Sequence, residues 1–194
     1  MEFQALPVLE TGRIKLGPFR YADAADVYAY ARNPNVPRFM PWTTHIKLED
    51  ARAYIKRVMA RHEGDYCWAI RIKREMNEEG AATATTGRLK VIGAIELDVQ
   101  KESEAEVHFV LAEEWWNKGL TTEAVRTVVT WGFAQYPALE RVISRAVEDN
   151  AGSRRVMEKC GMTLQGTQRE KWDKYPEAVE LCVYAVTRAE WCGG

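Results

Sequence analysis

At 194 residues, with 46% apolar and 28% charged side chains and a formal net charge of −1, the chain has the make-up of one globular domain with a substantial core. That balance points to a globular rather than a disordered chain and gives no basis for bulk nucleic-acid binding. No apolar run approaches the roughly 18 residues of a membrane span, and Met1-Glu2-Phe3-Gln4 lacks the basic and apolar blocks of a leader, so a cytoplasmic protein away from membranes is expected.

The cysteines Cys67, Cys160, Cys182 and Cys192 are scattered and form no CxxC pair. Neither a metal site nor a disulfide framework is therefore indicated, and buried thiols are expected.

In chain order, residues 12–17 alternate polar and apolar and read as a first strand, closed by Gly17-Pro18. Asp23 suits the N-cap of a helix whose Val27, Tyr30 and Ala31 share a face and which Asn33-Pro34 stops. A loop carrying Phe39, Met40, Trp42 and His45 follows. Leu48, Ala51, Ile55, Val58, Met59 and His62 keep helical spacing, predicting an amphipathic helix over 47–62. Residues 66–73 and 89–99 read as a pair of strands. Between them, residues 74–88, with Glu78-Glu79-Gly80 and a run of Ala and Thr, hold nothing that builds a core, so they predict a flexible hairpin extension within a single domain spanning 1–194.

Residues 106–111 alternate as a strand, and Asn117-Lys118-Gly119 then leads into a helix whose face carries Ala124, Val125, Val128, Val129 and Phe133. A strand, a glycine-bearing turn and a helix start make an anion-binding device, because free N–H groups and the positive helix end meet where glycine lets a ligand approach. A phosphorylated ligand is expected there. Neither GxxxxGK[ST] nor GxGxxG is present, so an NTPase or a dinucleotide fold is not supported. A strand over 139–147, a helix from Asn150 to Gly161, and strands over 162–171 and 178–187 complete the chain. The order β-α-α-β-β-β-α-β-α-β-β describes an α/β (α+β) domain, a mixed sheet with helices on both faces.

Several segments at this order and spacing resemble the GNAT superfamily of acyl-CoA-dependent N-acetyltransferases, and within it the RimJ/RimL-like branch. The carriers are Gly12-Arg13-Ile14-Lys15-Leu16 with Phe19-Arg20, Met40-Pro41-Trp42, Ile92-Gly93-Ala94-Ile95, Ala105-Glu106-Val107, the run from Trp116 to Ala124, the run from Asn150 to Gly161, and the closing run from Val183 to Trp191. Together they span almost the whole chain.

The resemblance implies a mostly antiparallel sheet splayed at its fourth and fifth strands, with acetyl-CoA as co-substrate and no metal. It implies that Asn117, Lys118, Gly119, Leu120, Thr121 and Thr122 hold the pyrophosphate, and that Val110 and Leu111 flank the pantetheine arm and polarise the thioester carbonyl. Asn150 and Ser153 match positions that face the arm, and Ser153 is a candidate proton donor to the departing thiolate. Glu106 matches the family's acidic position and is the first candidate for the base, with His108 on the same face of the strand as the second. Phe39, Met40, Trp42 and His45 in the first loop, and Trp172, Asp173 and Tyr175 in the last, are candidates for binding the amine acceptor. That acceptor is a protein N-terminus or a small molecule such as a polyamine or aminoglycoside, and the protein a monomer or homodimer. The sequence departs from the pattern at His108 and Asn117, which replace glycines, and at Thr121, which replaces a small residue. Those departures keep open an acyl-CoA-binding sensor that performs no chemistry.

Overall fold

A computed structural model describes residues 6–61, 64–76, 82–84 and 88–193. An eight-stranded sheet runs through the molecule in the order β1-β2-β3-β6-β7-β8-β10-β9. Its strands are β1 (Leu9–Glu10), β2 (Ile14–Gly17), β3 (Asp65–Ile72), β6 (Val91–Lys101), β7 (Glu104–Leu111), β8 (Arg141–Val147), β9 (Thr163–Glu170) and β10 (Val179–Thr187). Every pairing is antiparallel except that of β7 with β8. Helices α1 (Ala24–Ala31) and α2 (Leu48–Met59) cover one face, packing on Cys67, Ala69 and Ala94. On the opposite face α3 (Leu120–Gln135) and α4 (Ala151–Lys159) pack on Trp68, Ile95, Val142 and Tyr184. The mixed sheet with helices on both faces is thus as the sequence leads one to expect.

Three additions lay beyond the sequence patterns. The two-residue β1 extends the sheet edge, and α5 (Arg188–Gly193) follows β10 directly. Residues 74–76 and 82–84 form a separate antiparallel pair, β4 (Arg74–Met76) and β5 (Ala82–Ala84), inside the expected hairpin extension. The rest of that segment, residues 77–81 and 85–87, lies outside the described residues, as does His62 of the second predicted helix.

Local chemistry accounts for the boundaries. The Asp50 carboxylate accepts the N–H groups of Ile46 at 2.8 Å and Lys47 at 3.0 Å, so it satisfies donors at the start of α2. Arg188 closes α3 at the other end: its guanidinium donates to the carbonyls of Phe133, Tyr136 and Leu139 at 2.6–2.8 Å, which gives the closing family segment a physical purpose. Asp23 precedes α1 as expected, but its side chain does not cap that helix. Its carboxylate accepts the Arg20 N–H and pairs with Arg71 and Arg88, because it is almost wholly buried and a buried carboxylate takes cationic partners before a helical N–H. Gly93 lets β6 and β7 close on each other, since a Cβ there would overlap the Val110 carbonyl oxygen.

Candidate functional site

The site begins where two strands part. β7 and β8 are in register only over Glu104–Arg141, Ala105–Val142 and Glu106–Ile143, although β7 continues to Leu111 and β8 to Val147. This is the splay expected of the fourth and fifth strands. At its apex the Ser144 hydroxyl, buried, donates to the Val107 carbonyl at 2.8 Å and replaces the lost ladder bond.

Backbone polarity within β7 follows from two bonds. The Ala112 N–H donates to the Ile92 carbonyl at 2.8 Å, so even-numbered positions turn toward β6, while the Val107 carbonyl turns toward β8. The N–H groups of Phe109 and Leu111 therefore face the gap that β8 vacates. The Trp116 indole N–H donates to the Leu111 carbonyl at 2.8 Å and closes the strand's end.

A cleft of about 760 Å³ opens from this gap. Phe109, Val110 and Leu111 form one wall; Trp116, Asn117, Gly119, Leu120, Thr121 and Thr122 form the second; Asn150 and Ser153 stand on the third. The turn adopts glycine-like geometry, with Asn117 at φ 60° and Gly119 at φ 74°, both left-handed. Asparagine is among the few residues besides glycine that tolerate this region, which explains how Asn117 serves where glycine is usual. Gly119 caps α3 with no side chain to absorb the first-turn N–H groups, so those donors and the positive helix end are left for a ligand. Lys118 does not line the cleft: its Nζ lies 4.7 Å from the Trp115 ring centroid.

Asn150 caps α4 by accepting the Ser153 N–H at 3.2 Å. The Ser153 hydroxyl makes no hydrogen bond among the described residues and lines the cleft. The Tyr184 hydroxyl fixes the helix beneath, accepting from Arg154 at 3.2 Å and donating to Glu158 at 3.1 Å.

Glu106 and His108 share one face of β7, two and one same-face positions before Val110. Glu106 is fully buried, and Arg145 grips it with a two-pronged guanidinium, Nε to Oε1 at 2.7 Å and Nη2 to Oε2. The Gln100 amide adds a third donor at 3.1 Å. These bonds to Glu106 push Arg145 above its ordinary range. His108 is partly exposed, with Nδ1 3.7 Å from Glu106 Oε1. Neither residue lines the cleft itself, and His108 stands roughly 7 Å along the strand from Val110, which does.

The loop candidates are placed differently. Trp42 packs beside His45 and on the α1–α2 core, and Trp172 is buried and stacked on Tyr175; none of the four lines the cleft. Tyr175 donates to the Arg38 carbonyl at 2.7 Å and Lys174 to the Pro37 carbonyl at 2.5 Å, tying the β9–β10 loop to the loop after α1. The loop after α1 does reach the cleft, through the candidates Phe39 and Met40 beside Arg38, whereas Asp173 does not line it.

Sequence reasoning missed Arg145, Ser144, Glu113, Arg155 and Lys159. Arg145 carries a legible signal, a charge inside a buried-type strand, which normally has a buried partner. Glu113, on the cleft rim, is held below the usual carboxylate range by the side-chain amides of Asn33 and Asn35. Among the described residues no group of three His, Cys, Asp or Glu side chains is arranged to hold a metal. Nor is any helix among them long and apolar enough to cross a membrane.

Known proteins place this arrangement. The model of the acetyltransferase (GNAT) domain matches residues 13–163. The uncharacterized N-acetyltransferase YnaD of Bacillus subtilis is 26% identical over 190 residues, covering 94% of this chain and 98% of its own. Spermidine N-acetyltransferase from Vibrio cholerae, solved with CoA and spermine, shares the fold at a TM-score of 0.70 and 12% identity, over 94% of this chain and 99% of that one. RimL, a ribosomal L7/L12 alpha-N-protein acetyltransferase, shares it at 0.73 and 13%, over 93% and 94%. The matched span holds the parted strands, the left-handed turn and the start of α4, and with it this chain belongs to the GNAT family of acetyltransferases.

Proposed function

We propose that this chain transfers an acetyl group from acetyl-CoA to a primary amine, directly and within a ternary complex, and that coenzyme A occupies the cleft between β7, the start of α3 and the start of α4. The observation that carries the reading is the meeting of three features in one cleft: strand amides facing an open gap, a left-handed turn before an uncapped helix, and a free serine hydroxyl. The cleft volume suits a ligand of this size. Bound acetyl-CoA supplies an activated thioester; the chain's residues supply orientation and proton movement. Asn117, Gly119, Thr121 and Thr122 hold the pyrophosphate with backbone N–H groups. The N–H groups of Phe109 and Leu111 take up the charge that develops on the carbonyl oxygen as the amine nitrogen bonds to carbon. The acceptor ammonium must first lose a proton, and His108 receives it, directly or through a water, with Glu106 holding the imidazole in place. Both Glu106 oxygens are already engaged by Arg145 and Gln100, which is why the proton goes to the ring instead. As the C–S bond breaks, Ser153 gives a proton to the sulfur and regains one, through water, from the adduct nitrogen, which becomes the neutral amide.

For the acceptor we propose a protein N-terminal α-amino group, in the RimJ/RimL-like branch and in the cytoplasm. The branch-like segments from residue 12 to residue 191 support this. A second reading, a small cationic amine, is favoured by the face that carries His108. There Asp65 pairs across to Asp98 and Asp98 to Glu106, with Glu96 opposite His108; Arg61 bridges Asp65 and Glu96 and Arg145 holds Glu106, so these carboxylates outnumber the cations paired with them beside the base. Thiol release from acetyl-CoA, assayed against N-terminal peptides, polyamines and aminoglycosides, decides between them. Turnover of peptides alone supports the first reading and turnover of polyamines alone the second. Silence across a broad panel contradicts both.

A further inference from the structure

We propose that Arg13, braced by Glu123, is a positioning residue that sets the coenzyme A turn; this rests on the cofactor placement above. The segment around Arg13 belongs to the family resemblance, yet nothing in the cleft or the transfer chemistry uses it. Arg13 lies just before β2 and does not line the cleft, but its guanidinium reaches the turn from behind. Nη1 donates to the Lys118 carbonyl at 2.8 Å, and Nε and Nη2 meet Glu123 Oε2 at 2.6 and 2.5 Å. The other Glu123 oxygen takes the Thr11 hydroxyl, which in turn accepts the Ile14 N–H at 3.1 Å. A Cβ built on Gly119 would lie 3.6 Å from Arg13 Nη2, so the guanidinium sits against the left-handed glycine.

Two effects follow. In a trans peptide the carbonyl of one residue and the N–H of the next point in opposite directions. Drawing the Lys118 carbonyl toward Arg13 therefore aims the Gly119 N–H away from Arg13, to the side where Gly119 lines the cleft. The second effect is electrostatic. Glu123 lies in the first turn of α3, where a carboxylate claims the same positive helix end as the pyrophosphate. Arg13 cancels that carboxylate, so the helix end stays available to the ligand. Arg13 is 53% exposed, and an exposed ion pair adds little to folding, so its removal leaves the domain folded.

Calorimetric titration with coenzyme A, on the wild type and three variants, tests this. Arg13→Met weakens binding about tenfold, because it frees the turn and leaves Glu123 facing the phosphates. In the double variant Arg13→Met/Glu123→Gln the repulsion is gone, and about half of that loss on a logarithmic scale is recovered. Arg13→Lys, which balances the charge but cannot fork to the Lys118 carbonyl, loses about threefold and serves alone should Arg13→Met fail to fold. Unchanged affinity in Arg13→Met overturns the proposal, as does a double variant no tighter than the single one, the mark of a merely structural role. A wild type that does not bind coenzyme A overturns the cofactor placement itself, a result distinct from a binding wild type with silent variants.

Discussion

The imidazole of His108 stands 3.7 Å from a fully buried carboxylate whose oxygens Arg145 and Gln100 engage, and the proposed role of the ring as base rests on that local arrangement. His108→Ala is expected to lower turnover about a hundredfold, measured by thiol release, with acetyl-CoA affinity within about twofold of the wild type. Glu106→Gln slows turnover less, since the ring stays but loses its anionic neighbour; equal rates for that variant and the wild type would clear Glu106 of any role. Arg145→Met is a stability experiment instead. It strands the Glu106 carboxylate in the interior and costs about 3–5 kcal/mol in urea unfolding. The thiols give a simpler test. Burial pushes Cys160 up to about 11 and Cys67 up to about 12, and Cys182 is buried, so at pH 8 alkylation reaches the exposed Cys192 alone; all four react once the chain is unfolded. At this scale the period-two rule made the shared face of Glu106 and His108 legible. That Arg145 needs a buried partner was legible too, but not which one, because the partner depends on the register of a parallel pair, which no single strand's pattern records.

Between strand and helix, the turn at Asn117 and Gly119 carries the positive φ angles that a side chain elsewhere would resist. Asn117→Gly should be neutral or stabilising by less than about 1 kcal/mol, whereas Asn117→Val costs about 1–2 kcal/mol and weakens coenzyme A binding; urea unfolding and calorimetry check the two halves. Gly93→Ala forces β6 off β7 at the Val110 carbonyl, with a loss of about 3 kcal/mol. The glycine and the helix start were readable from the sequence, since both follow local rules. What lies behind the turn was not. The contact of Arg13 with Lys118 and Glu123 spans more than a hundred residues, and periodicity is blind to it. The short β1 and α5 escaped for a different reason, being too brief to build a pattern.

Across the whole molecule, one local failure of pairing creates the site. β7 and β8 stay together for three residue pairs and then separate, and α3 and α4 bring their N-termini to the edges of the opening. The loop after α1 and the loop between β9 and β10 are tied by Lys174 and Tyr175, so of the loop residues expected to meet the acceptor Phe39 and Met40 line the cleft beside Arg38, while Tyr175 stands behind them and Trp42, His45 and Trp172 lie outside the lining. That division was hidden in the sequence because a loop aromatic looks the same whether it packs on its own domain or faces a ligand. Whether this cleft holds acetyl-CoA against the turn before α3, as proposed, is read by titration calorimetry without knowledge of the acceptor. Saturable binding of one acetyl-CoA per chain is expected, with a Kd between about 1 μM and 1 mM, weakened at least tenfold (about 1.4 kcal/mol) by Gly119→Val. Absence of binding at about 1 mM acetyl-CoA, or equal affinity in Gly119→Val, would contradict it.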